Sequence, residues 1–210
     1  MNEVFIGSEA VAHGRLTKSD LRRRHRAIFR DVYVPSHYEP SLRDRTAGAW
    51  LWSRRRAIVA GVAASAWHGA QWVSADVPIE LIGSSARPQP GLVVRNEILA
   101  DDEITPVARL PVTTPARTAY DLGRHLPRAQ AIARLDALMR ATPFSTEDVL
   151  LLAKRHRGAR GLRRLRAALP LIDGGAASPK ETWLRLLLID AGLPAPTMQI
   201  PVLDGYRPMA

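Results

Sequence analysis

Apolar residues along this chain change period several times, and each change marks an element. Residues 15–38 read as a short helix followed by a β-hairpin arm. Thr17 fits an N-cap, and Asp20 three residues on completes a capping box while favouring the positive helix end. The helix runs through Leu21 and on through Arg22, Arg23 and Arg24. From Ala27 the spacing turns β-like. Ile28, Phe29, Val32, Tyr33 and Val34 surround the pair Arg30-Asp31, and Pro35 stops the run. A helix followed by two short strands around a charged tip is how a winged helix ends, with the helix in the major groove and the wing on the backbone. Such a fold has three helices, whereas 16 residues precede Thr17. They leave room for one short turn or two, with Phe5, Ile6 and Val11 as its core.

Residues 40–70 carry a helical pattern. Ser41 caps a segment bearing Leu42, Ala49, Trp50 and Trp52, and residues 54–56, all arginine, lie near its end, where cations suit the negative helix terminus. A second helical segment, AIVAGVAASAWHGAQWV, is small and apolar, with Gly69 as its stop. Alternation returns over 76–98, where VPIELIG and GLVVRNEI are strand candidates joined by the loop SSARPQP. ITPVARLPVTTPARTAYDLGRHLP predicts one short strand before Thr113-Thr114-Pro115, with Thr as cap and Pro as first helical residue. The next helix, 127–140, places Ala131, Leu135 and Leu138 on one stripe. Ser145 or Thr146 caps a further helix that becomes a basic stretch ending at Leu169-Pro170. Within it GLRRLRAAL is amphipathic, with Leu162, Leu165 and Leu169 on one face and Arg163, Arg164 and Arg166 on others. DGGAAS, 173–178, reads as a flexible joint and the best domain boundary.

Charge changes this picture more than composition does. The 210 residues hold 30 basic and 20 acidic side chains, a net +10 with a pI near 11.0. Only Lys18, Lys154 and Lys180 are lysine, an arginine bias that a GC-rich genome produces without any function. Residues 15–30 hold seven basic groups against one acid, and residues 154–166 hold seven against none. Those windows exceed the whole net charge, so basicity is concentrated, as expected of a surface for a polyanion. The alternative is a pair of solvated helix faces. There are no cysteines, which excludes disulfides, Cys-ligated zinc, iron–sulfur centres and a Cys nucleophile. The start MNEVFIGSEAVAHG does not read as a secretory signal, and no run of about 18 apolar residues spans a membrane. Cytoplasm is the expected compartment.

Motifs for metal or nucleophilic chemistry are sparse. The six histidines form no H-x-x-x-H pair, and no G-x-S-x-G, Walker A or G-x-G-x-x-G appears. His68, between tryptophan and glycine, fits a packing or capping role. Arg117 and Asp121, four apart on one helix, can pair. Ser178-Pro179-Lys180-Glu181 fits a capping box, with Ser at N-cap, Pro at N1 and Glu at N3. That role accounts for Glu181 locally, and the helix TWLRLLLIDAGL closes at Gly192.

Four stretches carry two resemblances. FIGSEAVAHGRLTKSDLRRRHRAIFRDVYVP, ASAWHGAQW and LPVTTPARTAYDL resemble AbiEi-type antitoxin and regulator proteins. Residues 178–202 resemble the opening of very-short-patch-repair-like endonucleases of the PD-(D/E)XK superfamily, in which such a helix carries a glutamate near its start, before a G-L-P turn and a first strand. That resemblance implies a divalent metal held by an Asp on one core strand and a Glu-x-Lys pair on the next. After Glu181 the chain offers Asp190 and Asp204 as acids and no lysine. Asp204-Gly205 reads as a hairpin turn. The resemblance therefore implies the front of a nuclease fold without its catalytic half.

These readings predict an α/β (α+β) chain. A winged-helix-like module over 1–38 precedes an AbiEi-like α/β domain over 39–142, a basic helical linker over 143–172 and an incomplete endonuclease-like domain over 173–210. The leading expectation is a non-catalytic, DNA-binding regulator or antitoxin. It contacts phosphates through Arg22, Arg23, Arg24, Arg26 and Arg30, with Arg163, Arg164 and Arg166 as a second surface. No metal site or cofactor is expected as written. One alternative is a Mg²⁺- or Mn²⁺-dependent endonuclease, truncated here, with Glu181 at its site. Another is an interaction antitoxin that neutralises a partner enzyme through residues 40–140. An unpaired first strand over 197–203 predicts poor solubility or dimerisation.

Overall fold

A computed structural model describes residues 4–83, 87, 89–196, 203–204 and 207–208. The chain is a mixed α+β protein that divides into two compact units, residues 1–68 with 73–118, and residues 69–72 with 119–210. The expected first strand over 197–202, and most of the loop SSARPQP, lie outside the described residues.

The first unit opens with β1 (Phe5–Ile6), α1 (Gly7–Ala12), α2 (Lys18–Arg24), β2 (His25–Phe29) and β3 (Val32–Pro35). The three strands form an antiparallel sheet in the order β1-β3-β2. A bulge between Ala27 and Phe29 lets the hairpin twist before its two-residue tip. The Thr17 box forms as the spacing predicts: the Asp20 amide donates to Thr17 Oγ1 at 3.0 Å and the Thr17 amide to Asp20 Oδ2 at 3.2 Å. Ser41 repeats the device with Asp44 at the start of α3 (Leu42–Trp52). This helix packs on all three strands. The small sheet thus gains its third helix from the chain that follows it, not from the 16 residues before Thr17.

Beyond α3 the expected second helical segment is two elements. Ile58–Ala60 is a strand, β4, and Gly61–Trp67 is the helix α4. β-Branched Ile58 and Val59 favour the extended form. Gly61, at φ 60°, makes the corner, where any Cβ would overlap the Glu80 carboxylate. β5 (Ile79–Ile82) and β6 (Leu92–Arg95) fall where the alternating pattern predicts strands, although all four residues of β5 are buried. The single strand expected before Thr113 is instead a hairpin, β7 (Ile104–Val107) and β8 (Leu110–Thr113). Together these strands form a five-stranded mixed sheet in the order β6-β5-β4-β8-β7, with β4 parallel to β8 and β5 parallel to β6. One core serves both sheets: Phe29, Val32 and Val34 from the hairpin meet Ala49 and Trp52 of α3 and Val59, Leu81 and Val112 of the larger sheet.

The boundary between the units falls within α5 (Pro115–His125). Thr114 caps that helix, accepting from the Arg117 amide at 3.3 Å. In the second unit α6 (Arg128–Ala141) buries Ala131, Leu135 and Leu138, the stripe its spacing predicts. α7 (Thr146–Arg155) is capped by Ser145, and α8 (Leu162–Ala168) buries Leu162, Leu165 and Ala168 before a 3-10 turn at Leu169–Leu171. α9 (Pro179–Asp190) packs on α6, as does α8. The two-residue strands β9 (Leu203–Asp204) and β10 (Arg207–Pro208) pair antiparallel, with Asp204 opposite Arg207.

Candidate nucleic-acid interface

α2 is short and buries none of its side chains. Packing therefore contributes little to it, and its ends do the holding: the Thr17–Asp20 box at one terminus, and Arg24 O accepting from the Ser36 amide at 2.8 Å at the other. The Thr17 side-chain hydrogen bond is the main reason the Asp20 carboxyl lies below its usual range. Arg22, Arg23 and Arg24 are exposed in the last turn, where cations complement the helix dipole. None of the three has an ion-pair partner among the described residues.

Arg30 is exposed at the hairpin tip, and its amide donates to Gln89 Oε1 at 3.2 Å. Beside it Asp31 adopts φ 63°, and its side chain shows why an acid stands there. Asp31 Oδ1 accepts from the Ser8 amide at 2.8 Å, Oδ2 from Ser8 Oγ at 2.5 Å, and the Gly7 amide donates to Asp31 O at 2.9 Å. Glycine would relax the turn but could not cap α1 in this way. Arg54 Nη2 reaches the same carboxylate at 3.0 Å, and Arg55 forks onto Glu9 with both bonds at 2.7 Å. Burial pushes the Asp31 carboxyl up, but the Ser8 bonds and the Arg54 charge outweigh it and leave the group below its ordinary value. The tip is thus fastened to α1 and to the turn after α3. Arg26 differs from its neighbours: its guanidinium is half-exposed and donates to Tyr38 O and to Glu39 Oε1, each at 2.9 Å.

Arg163, Arg164 and Arg166 lie exposed on α8, opposite its buried leucines. Lys154, Arg157 and Arg160 are also exposed. Here the charge run is the outer face of a helix whose inner face is core.

Glu181 sits in the first turn of α9 and is tied to the cap. Ser178 Oγ accepts from the Glu181 amide at 3.3 Å and donates to Glu181 Oε1 at 3.1 Å, while the Ala177 amide donates to Oε2 at 3.0 Å. The side chain therefore reaches one residue before the N-cap. Asp190, at the other end of α9, takes both forks of Arg128 at 2.7 and 2.8 Å, and that pairing lowers its carboxyl below the usual range. His68 Nε2 donates to Thr113 O at 2.7 Å, a packing role in line with its sequence setting.

Two buried ionic clusters escaped sequence reading. Arg117, 1% exposed, bonds Glu97 Oε2 at 2.7 Å, Glu103 and Ile98 O. In the second unit Asp136 accepts from the Asp173 amide at 2.8 Å, Thr182 Oγ1 at 2.7 Å and Arg185 Nη2 at 2.7 Å. Burial raises the Asp136 carboxyl despite those donors. Through this cluster the glycine-rich segment at 173–178 and α9 are fixed to α6. A polar residue amid the buried stripe of α6 was the available signal, since such a side chain demands a partner.

The fold and these sites define an α+β protein in which α3 and the β2–β3 hairpin share a core with a mixed sheet, followed in sequence by a helical second unit. The chain belongs to the AbiEi antitoxin C-terminal domain family, whose match covers residues 52–171. The match runs from the end of α3 through the 3-10 turn after α8. Two Mycobacterium tuberculosis proteins, from strains CDC 1551 and H37Rv and both described as uncharacterized, are each 33% identical over 177 residues, 83% of this chain. The chain spans 64% of the length of those relatives. Among the described residues no helix is long and apolar enough to cross a membrane.

Proposed function

We propose that the chain is a DNA-binding regulator of the antitoxin type. Residues 1–38 act as a winged-helix-like module in which α1 and α2 form the helix-turn-helix and the β2–β3 hairpin forms the wing. Arg22, Arg23 and Arg24 approach phosphates from α2, and Arg30 from the wing tip. Arg26 joins them by exchanging Glu39 for a phosphate. The observation that carries this reading is that α2 buries nothing, while its three arginines have no ion pair among the described residues. With Leu21 as its one half-buried apolar side chain, α2 has no packing use for three adjacent cations. Arg163, Arg164 and Arg166 form a second phosphate surface, with less to recommend it, because the buried face of α8 already explains their position. These contacts orient the duplex and supply affinity without reading bases.

The test is fluorescence anisotropy with a labelled duplex at low salt. Replacing Arg22, Arg23 and Arg24 together by alanine weakens binding; unchanged affinity would overturn the role of α2. The family's antitoxin title supports a further part of the reading, a partner enzyme bound through residues 40–140, tested by co-purification with neighbouring gene products.

The rival is a metal-dependent endonuclease whose opening helix is α9, similar to very-short-patch-repair enzymes. Glu181 is its supporting residue, and a Mg²⁺ or Mn²⁺ ion would draw on that carboxylate. Both of its oxygens serve the cap, and Asp190 serves Arg128, so the regulator is preferred. Plasmid cleavage with Mg²⁺ or Mn²⁺ that disappears in Glu181→Ala would reverse that preference.

A further inference from the structure

A cleft in the first unit has features that the regulator reading does not use. It holds about 600 Å³, within the range of small-molecule sites, between α3, the end of α4 and the β7–β8 turn. Its walls include Tyr38, Trp50, Leu51 and Trp67, and its rim carries Arg43 and Arg109. The Arg43 guanidinium stands 5.1 Å from the centre of the Trp67 ring. The one carboxylate on the lining, Asp44, already accepts from Ser41 and from Tyr38 Oη. Two cations therefore face the cleft against a single acid that is occupied elsewhere.

A further observation points to a ligand. Arg109 is held in place against local preference. The β7–β8 hairpin closes through two residues, Ala108 and Arg109, between the paired Val107 and Leu110. Both are left-handed, at φ 46° and 71°, where turns of this length use Asn-Gly or Asp-Gly. Strained non-glycine residues of this kind cluster at ligand clamps.

We propose that this cleft binds a small aromatic carboxylate. Its ring stacks among Trp50, Trp67 and Tyr38, and its carboxylate meets Arg43 and Arg109. An aromatic ring fills the apolar walls, and a carboxylate is the acceptor that suits two guanidinium donors.

The test is a titration of the ¹⁵N-labelled chain with 2-naphthoate, and in parallel with neutral 2-naphthamide. The five tryptophans give separate indole signals, with two assigned through Trp50→Phe and Trp67→Phe. Expected is a saturating shift of the Trp50 and Trp67 indole signals while Trp72 and Trp183 stay in place. The amide and Arg43→Gln each weaken binding about tenfold, the loss of one charge-assisted contact. A second variant separates binding from folding. Ala108→Asn with Arg109→Gly restores an unstrained turn, so it raises Tm while weakening 2-naphthoate about tenfold. Absent or non-saturating shifts, equal shifts at all five indoles, or affinity indifferent to both arginines would overturn the proposal.

Discussion

α2 and α8 are both seven residues long, and each carries three arginines within one turn or so. Their burial separates them. α8 commits Leu162, Leu165 and Ala168 to the core, so its arginines fall where an amphipathic helix must be polar. α2 commits no fully buried side chain, and its inward face is reduced to the half-buried Leu21. The same charge run is thus explained by packing in one helix and unexplained by packing in the other. Local arginine density alone is a poor guide to a binding surface; density on a helix with no fully buried side chain is a better one.

The largest effect that bears on this contrast is in the core. Leu165→Ala should cost about 2–5 kcal/mol, since the side chain is fully buried. Leu21→Ala, at a half-buried position of α2, should cost about 1 kcal/mol. Urea denaturation of the two variants compares them directly, and equal losses would break the distinction. Capping gives the next largest effect. Thr17→Ala removes the box that holds α2 and should cost about 1 kcal/mol, read as faster amide exchange in residues 18–24. At α8 the N-cap is Gly161, which offers no side-chain bond, so that helix has no counterpart to lose.

A smaller effect is expected with acid. The Asp31 carboxyl is lowered in the folded chain, so its contribution is present above about pH 4, the unfolded value, and fades as pH falls through the lower folded value. Ser8 amide exchange should therefore accelerate in that acid window, and Asp31→Asn should remove the step. The 154–166 run contains no acid, so it has no carboxylate to set beside Asp31.

What the sequence reveals follows the range of the interactions. Caps at Thr17, Ser41, Ser145 and Ser178 are legible because each is completed within three residues. The inward leucines of α6 and α8 are legible from period alone. β4 is not, because Ile58–Ala60 is flanked by small residues that suit a helix equally well. The β7–β8 turn carries no Gly, Asn or Asp to announce it, only Ala108 and Arg109 under strain. Arg117 meets Glu97 and Glu103 across 20 and 14 positions, and Asp136 meets Arg185 across 49, distances over which no local pattern speaks. At the candidate interface the arginines are visible in sequence, but the absence of a buried face beneath three of them is not.

The most direct test of the central claim compares salt dependence of duplex binding in two triple variants, Arg22→Ala/Arg23→Ala/Arg24→Ala and Arg163→Ala/Arg164→Ala/Arg166→Ala. If α2 supplies three phosphate contacts, its variant should flatten the slope of log K against log salt by about 2.7, at about 0.9 per contact, and the α8 variant should change it less. A slope unaltered by the α2 variant, or altered more by the α8 variant, would contradict the account.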